Sequence, residues 1–254
     1  MSPRLVMVFL TLAMIWGGGV WWRLDAQRER RVISRPPVEE AADIVYRRSK
    51  GPVDQVLRRH PEPGSPAARV ELAALLARFP DSDYLSYQLG RVWLQSPGPD
   101  CLSGLAVLDP VWARIENRQP VRPVWLAAEV ALEVGYGRLL AGADREADVA
   151  FGVAVRLAGT DPEQMARLAR EEVERRATAT FLRRSSLGSE KSLAELLALR
   201  NRAPENPVVW EMLAMVSLEN PSAPERLARE ALPYLRDEDT RREVERRLAS
   251  RPTS

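Results

Sequence analysis

The stretch YLSYQLGRVW, residues 84–93, decides how the chain is read. Leu85, Leu89 and Val92 recur at helical spacing, which predicts an amphipathic helix whose apolar stripe must be covered by another helix. It is either one buried helix among many or the first half of a repeated helical hairpin. A repeated hairpin would make the chain a holder of partners rather than a site of chemistry.

Outward from that stretch the punctuation is helical. Ser65-Pro66, Asp161-Pro162 and Asn206-Pro207 each place a capping side chain before a proline in the first turn, where the missing N–H costs little. Ser222-Ala-Pro224 is expected to do the same, with Glu225 as its capping-box partner. Ser192 with Glu195 predicts another such box. Proline-bearing breaks recur at residues 79–83, 96–100, 159–162, 203–207 and 219–224. Helices of ordinary length between short connections pack as antiparallel hairpins. A second stripe is expected at Ala147, Phe151, Ala154 and Leu157. No period-two run is bounded by Asn-Gly or Asp-Gly turns, so the expected fold is all-α.

Three first-helix segments can be superposed: SYQLGRVW from Ser86, WLAAEVAL from Trp125 and WEMLAMVS from Trp210. Their starts differ by 39 and 85 residues, about one and two hairpins, so residues 161–203 are expected to hold a worn unit between them. In Leu89-Gly90 with Trp93, and in Leu213-Ala214 after Trp210, the pattern resembles the first helix of the tetratricopeptide repeat family. Ala147, Phe151 and Ala154 followed by Pro162 resemble its second helix, although the connection after Trp125 is longer than usual for that family. The resemblance covers most of residues 65–236 and implies a right-handed superhelix of antiparallel hairpins with first helices on a concave face. Side chains one turn from the packing positions would line that groove: Tyr84, Tyr87, Arg91, Leu126, Val130, Glu133, Glu211 and Met215. Their mixed character suits a segment of a protein partner. The alternative is that they pack against neighbouring helices of this chain. The lysines and asparagines with which the family grips a terminal carboxylate are missing, so carboxylate capture is not expected.

Composition removes most other classes. Lys plus Arg (37) nearly cancels Asp plus Glu (35), so no global field favours nucleic acid. The arginine-rich run 166–184 pairs Arg167 with Glu171, Arg170 with Glu174 and Glu172 with Arg176 at i,i+4, as a solvated face does. The charged tail from Asp237 predicts a closing helix with a polar outer surface. A single cysteine, Cys101, and a single histidine, His60, cannot supply the usual zinc or Ser-His-Asp arrangements. His60 lies in a proline-rich turn, and Cys101 is expected at a helix start or in the core. No enzyme activity and no cofactor are expected, with a helical enzyme acting on envelope polymers as the alternative.

Residues 5–22, LVMVFLTLAMIWGGGVWW, form an uncharged run. As a helix it would reach roughly 27 Å, near the hydrocarbon thickness of a bilayer. Trp16, Trp21 and Trp22 followed by Arg23 suit an interfacial belt with a snorkelling cation. A cleaved signal peptide, with Arg4 as its basic region and Gly17 and Gly19 before the cut, competes with this reading. Residues 1–23 are thus expected to anchor the chain in a bacterial inner membrane, residues 24–37 to form a charged linker and residues 38–254 to form the helical domain. The arginines after the span argue for a cytoplasmic domain and the short tail before Arg4 for an exported one, and export is the reading adopted. The expected partners are the lipid bilayer and a protein of an envelope complex, for which the chain serves as scaffold or assembly factor.

Overall fold

The computed structural model describes residues 37–96, 98, 100–220 and 223–250, and every element among them is helical. Backbone contacts divide the chain into residues 1–44 and 45–254. The described part of the first unit is the beginning of helix α1 (Pro37–Arg59), and every later element belongs to the second. After α1 come α2 (Pro66–Arg78), α3 (Asp83–Leu94), α4 (Cys101–Glu116), α5 (Leu126–Leu140), α6 (Asp144–Leu157) and α7 (Pro162–Leu182). A four-residue α8 (Arg184–Leu187), α9 (Ser189–Arg202), α10 (Pro207–Glu219), α11 (Glu225–Ala231), a 3-10 turn (Leu232–Tyr234) and α12 (Glu238–Ser250) complete it.

Side-chain caps set several starts. Ser65, Asp161 and Asn206 each accept from backbone N–H groups of the first turn, with proline following at once. The box expected at Ser192 and Glu195 does not form. Helix α9 starts three residues earlier, and Ser192 Oγ donates to the Gly188 carbonyl from inside the helix. The box expected at Ser222 lies outside the described residues, as do the apolar run 5–22 with Trp16, Trp21, Trp22 and Arg23, and residues 24–36 of the linker expected over 24–37, whose last residue, Pro37, opens α1. Among the described residues, no helix is long and apolar enough to cross a membrane.

Each of α2 to α7 packs on its chain neighbour, and α3, α5, α7 and α10 also pack on one another in succession. Two small-residue crossings bring backbones close. A Cβ on Gly90 of α3 would lie 2.6 Å from the Leu108 side chain and 3.2 Å from the Gly104 carbonyl of α4. A Cβ on Gly135 of α5 would lie 2.6 Å from the Phe151 ring of α6. Phe151 thus fills the space that the missing side chain leaves, and the expected stripe of Ala147, Phe151 and Ala154 is buried. Leu157 is exposed instead, because it ends α6 one residue before the chain turns away through Ala158 and Gly159.

The core falls into two clusters that meet in α7. Leu168 and Ala179 belong to the first cluster, which runs from Val53. Val173 and Ala177 belong to the second, which runs on to Leu248. Residues 168 and 179 are three turns apart on one side of α7, whereas 173 and 177 lie on the other, so this helix is apolar on two faces. Arginines close the edges of these cores by stacking on aromatic rings: Arg69 on Trp93 at 4.4 Å, Arg176 on Phe151 at 4.7 Å and Arg184 on Phe181 at 4.0 Å. A planar guanidinium can do this where an ammonium cannot, consistent with a chain in which Lys50 and Lys191 are the only lysines.

The glycine crossings separate two effects of the same substitution. Gly135→Ala is expected to cost about 1–3 kcal/mol by driving a methyl group into Phe151. Gly152→Ala, inside α6 with only the mobile end of Arg156 near the new Cβ, at 3.7 Å, should stabilise by roughly 0.5–1 kcal/mol. Thermal unfolding followed by circular dichroism checks both signs.

Candidate functional site

The face formed by α3, α5 and α7 carries a polar stripe along each helix. On α3 it is Tyr84, Tyr87, Gln88 and Arg91; on α5, Glu129, Glu133 and Tyr136; on α7, Arg167, Glu171 and Arg175. The spacing in each is that of one helix face. Between helices the stripes are in register: Arg91, Glu133 and Arg175 follow one another at 42 residues.

Glu133 is the centre of the site. It is 2% exposed, and its Oε1 accepts from Arg175 Nη2 at 2.5 Å. Arg91 acts on it electrostatically from α3, while Glu129 on its own helix opposes it. Burial pushes the Glu133 carboxyl above its ordinary value, and the attraction of Arg175 and Arg91 offsets only part of that rise. Arg175 also lies over the Tyr136 ring, 5.1 Å from its centre. Burial holds the Tyr87 hydroxyl well above its ordinary value, with Glu133 adding to the effect, and pushes the Tyr136 hydroxyl up to about 12. Neither phenol ionises at physiological pH. Glu133 Oε2 and the Nε–H groups of Arg91 and Arg175 are buried without a hydrogen-bond partner. Next to this centre Arg167 joins Glu129 of α5 to Glu171 of its own helix, the latter at 2.6 Å.

At one end of the face is an aromatic group. Trp125 precedes α5 and meets Tyr84 and Tyr87 edge-on, with ring centres 6.3 and 6.5 Å apart. Tyr84 in turn meets Tyr46 edge-on and donates to Asp54 at 2.8 Å. Tyr84 and Tyr87 are buried, yet Trp125 is 46% exposed and its neighbour Val124 71% exposed. The loop that carries them, residues 117–125, is tied down from below. Asp83, buried at the start of α3, accepts from Arg114 of α4 and from the Arg122 backbone N–H at 3.1 Å. Burial raises the Asp83 carboxyl, against the lowering by these two donors.

The structure thus brings together five of the eight residues expected to line a groove: Tyr84, Tyr87, Arg91, Glu133 and, beneath the surface, Val130. Leu126 and Val130 are wholly enclosed in the first core. Glu211 and Met215 lie apart, against the second core. Glu211 is half-buried, and its carboxyl is raised by burial and by Asp237. Trp125, Glu129, Arg167, Glu171 and Arg175 were not singled out from the sequence as site residues. Arg175 reads locally as a partner for Glu171, and the 42-residue register with Glu133 and Arg91 is the signal that places it. His60 Nε2 donates to Glu71 Oε1, 2.9 Å away, and lowers that carboxyl. Cys101 begins α4. Among the described residues no group of three or more His, Cys, Asp or Glu is placed to hold a metal ion.

No protein-family model, no curated protein and no solved structure matches this chain.

Two outcomes are expected from these geometries. Folding raises the proton affinity of Glu133, so its contribution to stability is greatest below the ordinary value of 4.5 and declines as pH rises through the raised folded value. The unfolding free energy of the wild type minus that of Glu133→Gln, from urea titrations, should therefore fall between pH 4.5 and neutrality. A rise would mean that Arg175 and Arg91 outweigh burial. Asp83→Ala leaves Arg114 and the Arg122 N–H without their acceptor and should cost about 1–3 kcal/mol. Freed from its anchor, the loop should also shift tryptophan emission to longer wavelength.

Proposed function

We propose that the chain is a membrane-held scaffold or assembly factor whose helical domain docks another protein, with α3, α5 and α7 presenting the docking face. The hairpins α3–α4, α5–α6, α7–α9 and α10–α11 are taken as successive units of a tetratricopeptide-like superhelix, and residues 5–22 as the anchor in a bacterial inner membrane. The successive packing of α3, α5, α7 and α10 supports the stacking. The observation that carries the docking reading is Trp125. A tryptophan left nearly half exposed, beside an exposed valine and on a buried aromatic base, is the kind of residue that dominates interfaces. Tyrosines and an arginine beside it add the other residue types enriched there.

A photo-crosslinking amino acid placed at Val124 in intact membranes is expected to capture one protein repeatedly, whereas the same group at Val70, equally exposed on α2, should not. Trp125→Ala should reduce that yield about tenfold, the effect of removing a central aromatic anchor. Equal capture from both positions, or hydrolysis of envelope glycan by the purified protein, would sink the reading.

A further inference from the structure

A cavity of about 610 Å³ opens beside α7, walled by the turn between α9 and α10 and by the segment after the 3-10 turn. Its volume is that of a small-molecule site. Three arginines from three elements line it: Arg170 of α7, Arg202 at the end of α9 and Arg236 just before α12. Among the described residues Arg170 and Arg236 form no ion pair, and Arg202 reaches only Glu172, at 3.6 Å, which Arg176 already holds at 2.8 Å. The i,i+4 pair that spacing predicts between Arg170 and Glu174 does not form. Glu174 Oε1 instead accepts from Asn206 Nδ2 at 3.2 Å, while Asn206 Oδ1 caps α10. Arg170 is thereby left to the cavity. Glu174 and Glu205 also line it, and neither pairs with the three arginines, so positive charge is what remains unmet. The turn is fixed from within, since Trp210 Nε1 donates to the Pro204 carbonyl at 2.6 Å and the Asn206 N–H to the Ala203 carbonyl at 3.1 Å. Val173, Pro204 and Pro207 give the same cavity an apolar part of its wall.

We propose that this cavity binds a phosphate monoester carried on a small organic body. It uses none of the side chains of the docking face, so the two sites stand or fall separately. A phosphate monoester brings a charge of about −1.5 to −2 at neutral pH and three strong acceptor oxygens. Guanidinium groups take such oxygens in planar two-point contacts and stay charged at every physiological pH. A carboxylate, with two oxygens and one charge, matches one arginine and leaves the others unmet. Bare phosphate meets the charge but fills little of the cavity and leaves Val173 and the two prolines uncovered. An organic body on the ester oxygen covers them, and burial of that apolar wall adds to the affinity. The same group is found on soluble phosphoesters and on lipid headgroups.

Equilibrium dialysis of the full-length protein against phenyl phosphate tests this, beside inorganic phosphate and benzenesulfonate, the latter with the same ring and three oxygens but a single charge. The expected result is one saturable site for phenyl phosphate, with both other probes about tenfold weaker. Arg170→Gln and Arg236→Gln, at exposed side chains that the fold does not pair, should each weaken phenyl phosphate about tenfold, the loss of one charge-assisted hydrogen bond. Arg145→Gln, the same change of charge at an exposed arginine of α6, should leave binding unchanged. Glycerol 3-phosphate and dihexanoyl phosphatidic acid then separate the sources: tighter binding of the first assigns the site to a soluble ester, and of the second to a lipid headgroup. Absence of a saturable site, equal affinity for benzenesulfonate, or equal weakening by Arg145→Gln each overturns the proposal.

Discussion

Helix α7 is apolar on two opposite faces, and the continuity of residues 45–254 depends on it. Leu168 and Ala179 complete the first core, while Val173 and Ala177 begin the second. A helix with one apolar stripe can end a packed array but cannot pass burial on to the next layer. Cutting or kinking α7 would therefore expose two cores. Its remaining surface is left to charge, and that charge is used across helices: Arg167 reaches Glu129, Arg175 reaches Glu133, Arg176 reaches Asp148 at 2.6 Å and Arg183 reaches Asp144 at 2.7 Å. The run keeps two of its expected i,i+4 pairs, Arg167–Glu171 and Glu172–Arg176, and is at the same time a row of straps onto α5 and α6.

These straps differ in what they contribute. Arg183 and Arg176 reach aspartates that are more than half exposed, where screening leaves an ion pair worth about 0–1 kcal/mol. Glu133 is enclosed, and for a buried pair the cost of desolvation rivals the attraction. Apolar side chains replacing Glu133 and Arg175 together would avoid that cost, whereas a leucine at 133 alone would leave Arg175 without its carboxylate. A charge kept in that position, with oxygen and nitrogen atoms unpartnered around it, adds little to holding the helices together.

Much of the fold was legible in residues 38–254 because helices announce themselves locally. Ser65, Asp161 and Asn206 cap where their prolines said they would, and Leu85, Leu89 and Val92 are buried as their spacing required. Ser192 failed because a capping box is a four-residue pattern that the interior of a helix satisfies equally well; which serine caps is decided by where Gly188, at φ +85°, lets the chain turn. The site was harder to see. Tyr84, Tyr87, Arg91 and Glu133 share the helix face that their offset from the packing stripe gives, but Tyr84, Tyr87 and Glu133 are buried there rather than open as groove residues. Arg175 could not be placed, because its partner stands 42 residues away while an equally plausible glutamate stands four away. Trp125 was visible as the start of a repeated segment, and a core position was the natural expectation for it. Its exposure is set by the loop before α5, whose path depends on Asp83.

That dependence bears on why an exposed indole is tolerated there. Left on a loose loop, Trp125 would lose conformational freedom on binding, and ordering the loop would use up part of the interaction energy. Here Asp83 holds the Arg122 N–H and the Arg114 side chain together under the loop, and Tyr84 and Tyr87 brace the indole edge-on. The ordering cost is met when the chain folds. Asp83 itself carries a cost, since burial disfavours its charged form. An acid buried at the first residue of a helix, with its charge turned toward the loop beneath a solvent-exposed tryptophan, spends folding stability on the rigid display of one side chain. The same exchange is made at Glu133, where a buried charge holds Arg175 on the same face. Two sites of disfavoured burial, one on α3 and one on α5, thus set charge into that face at a cost to stability.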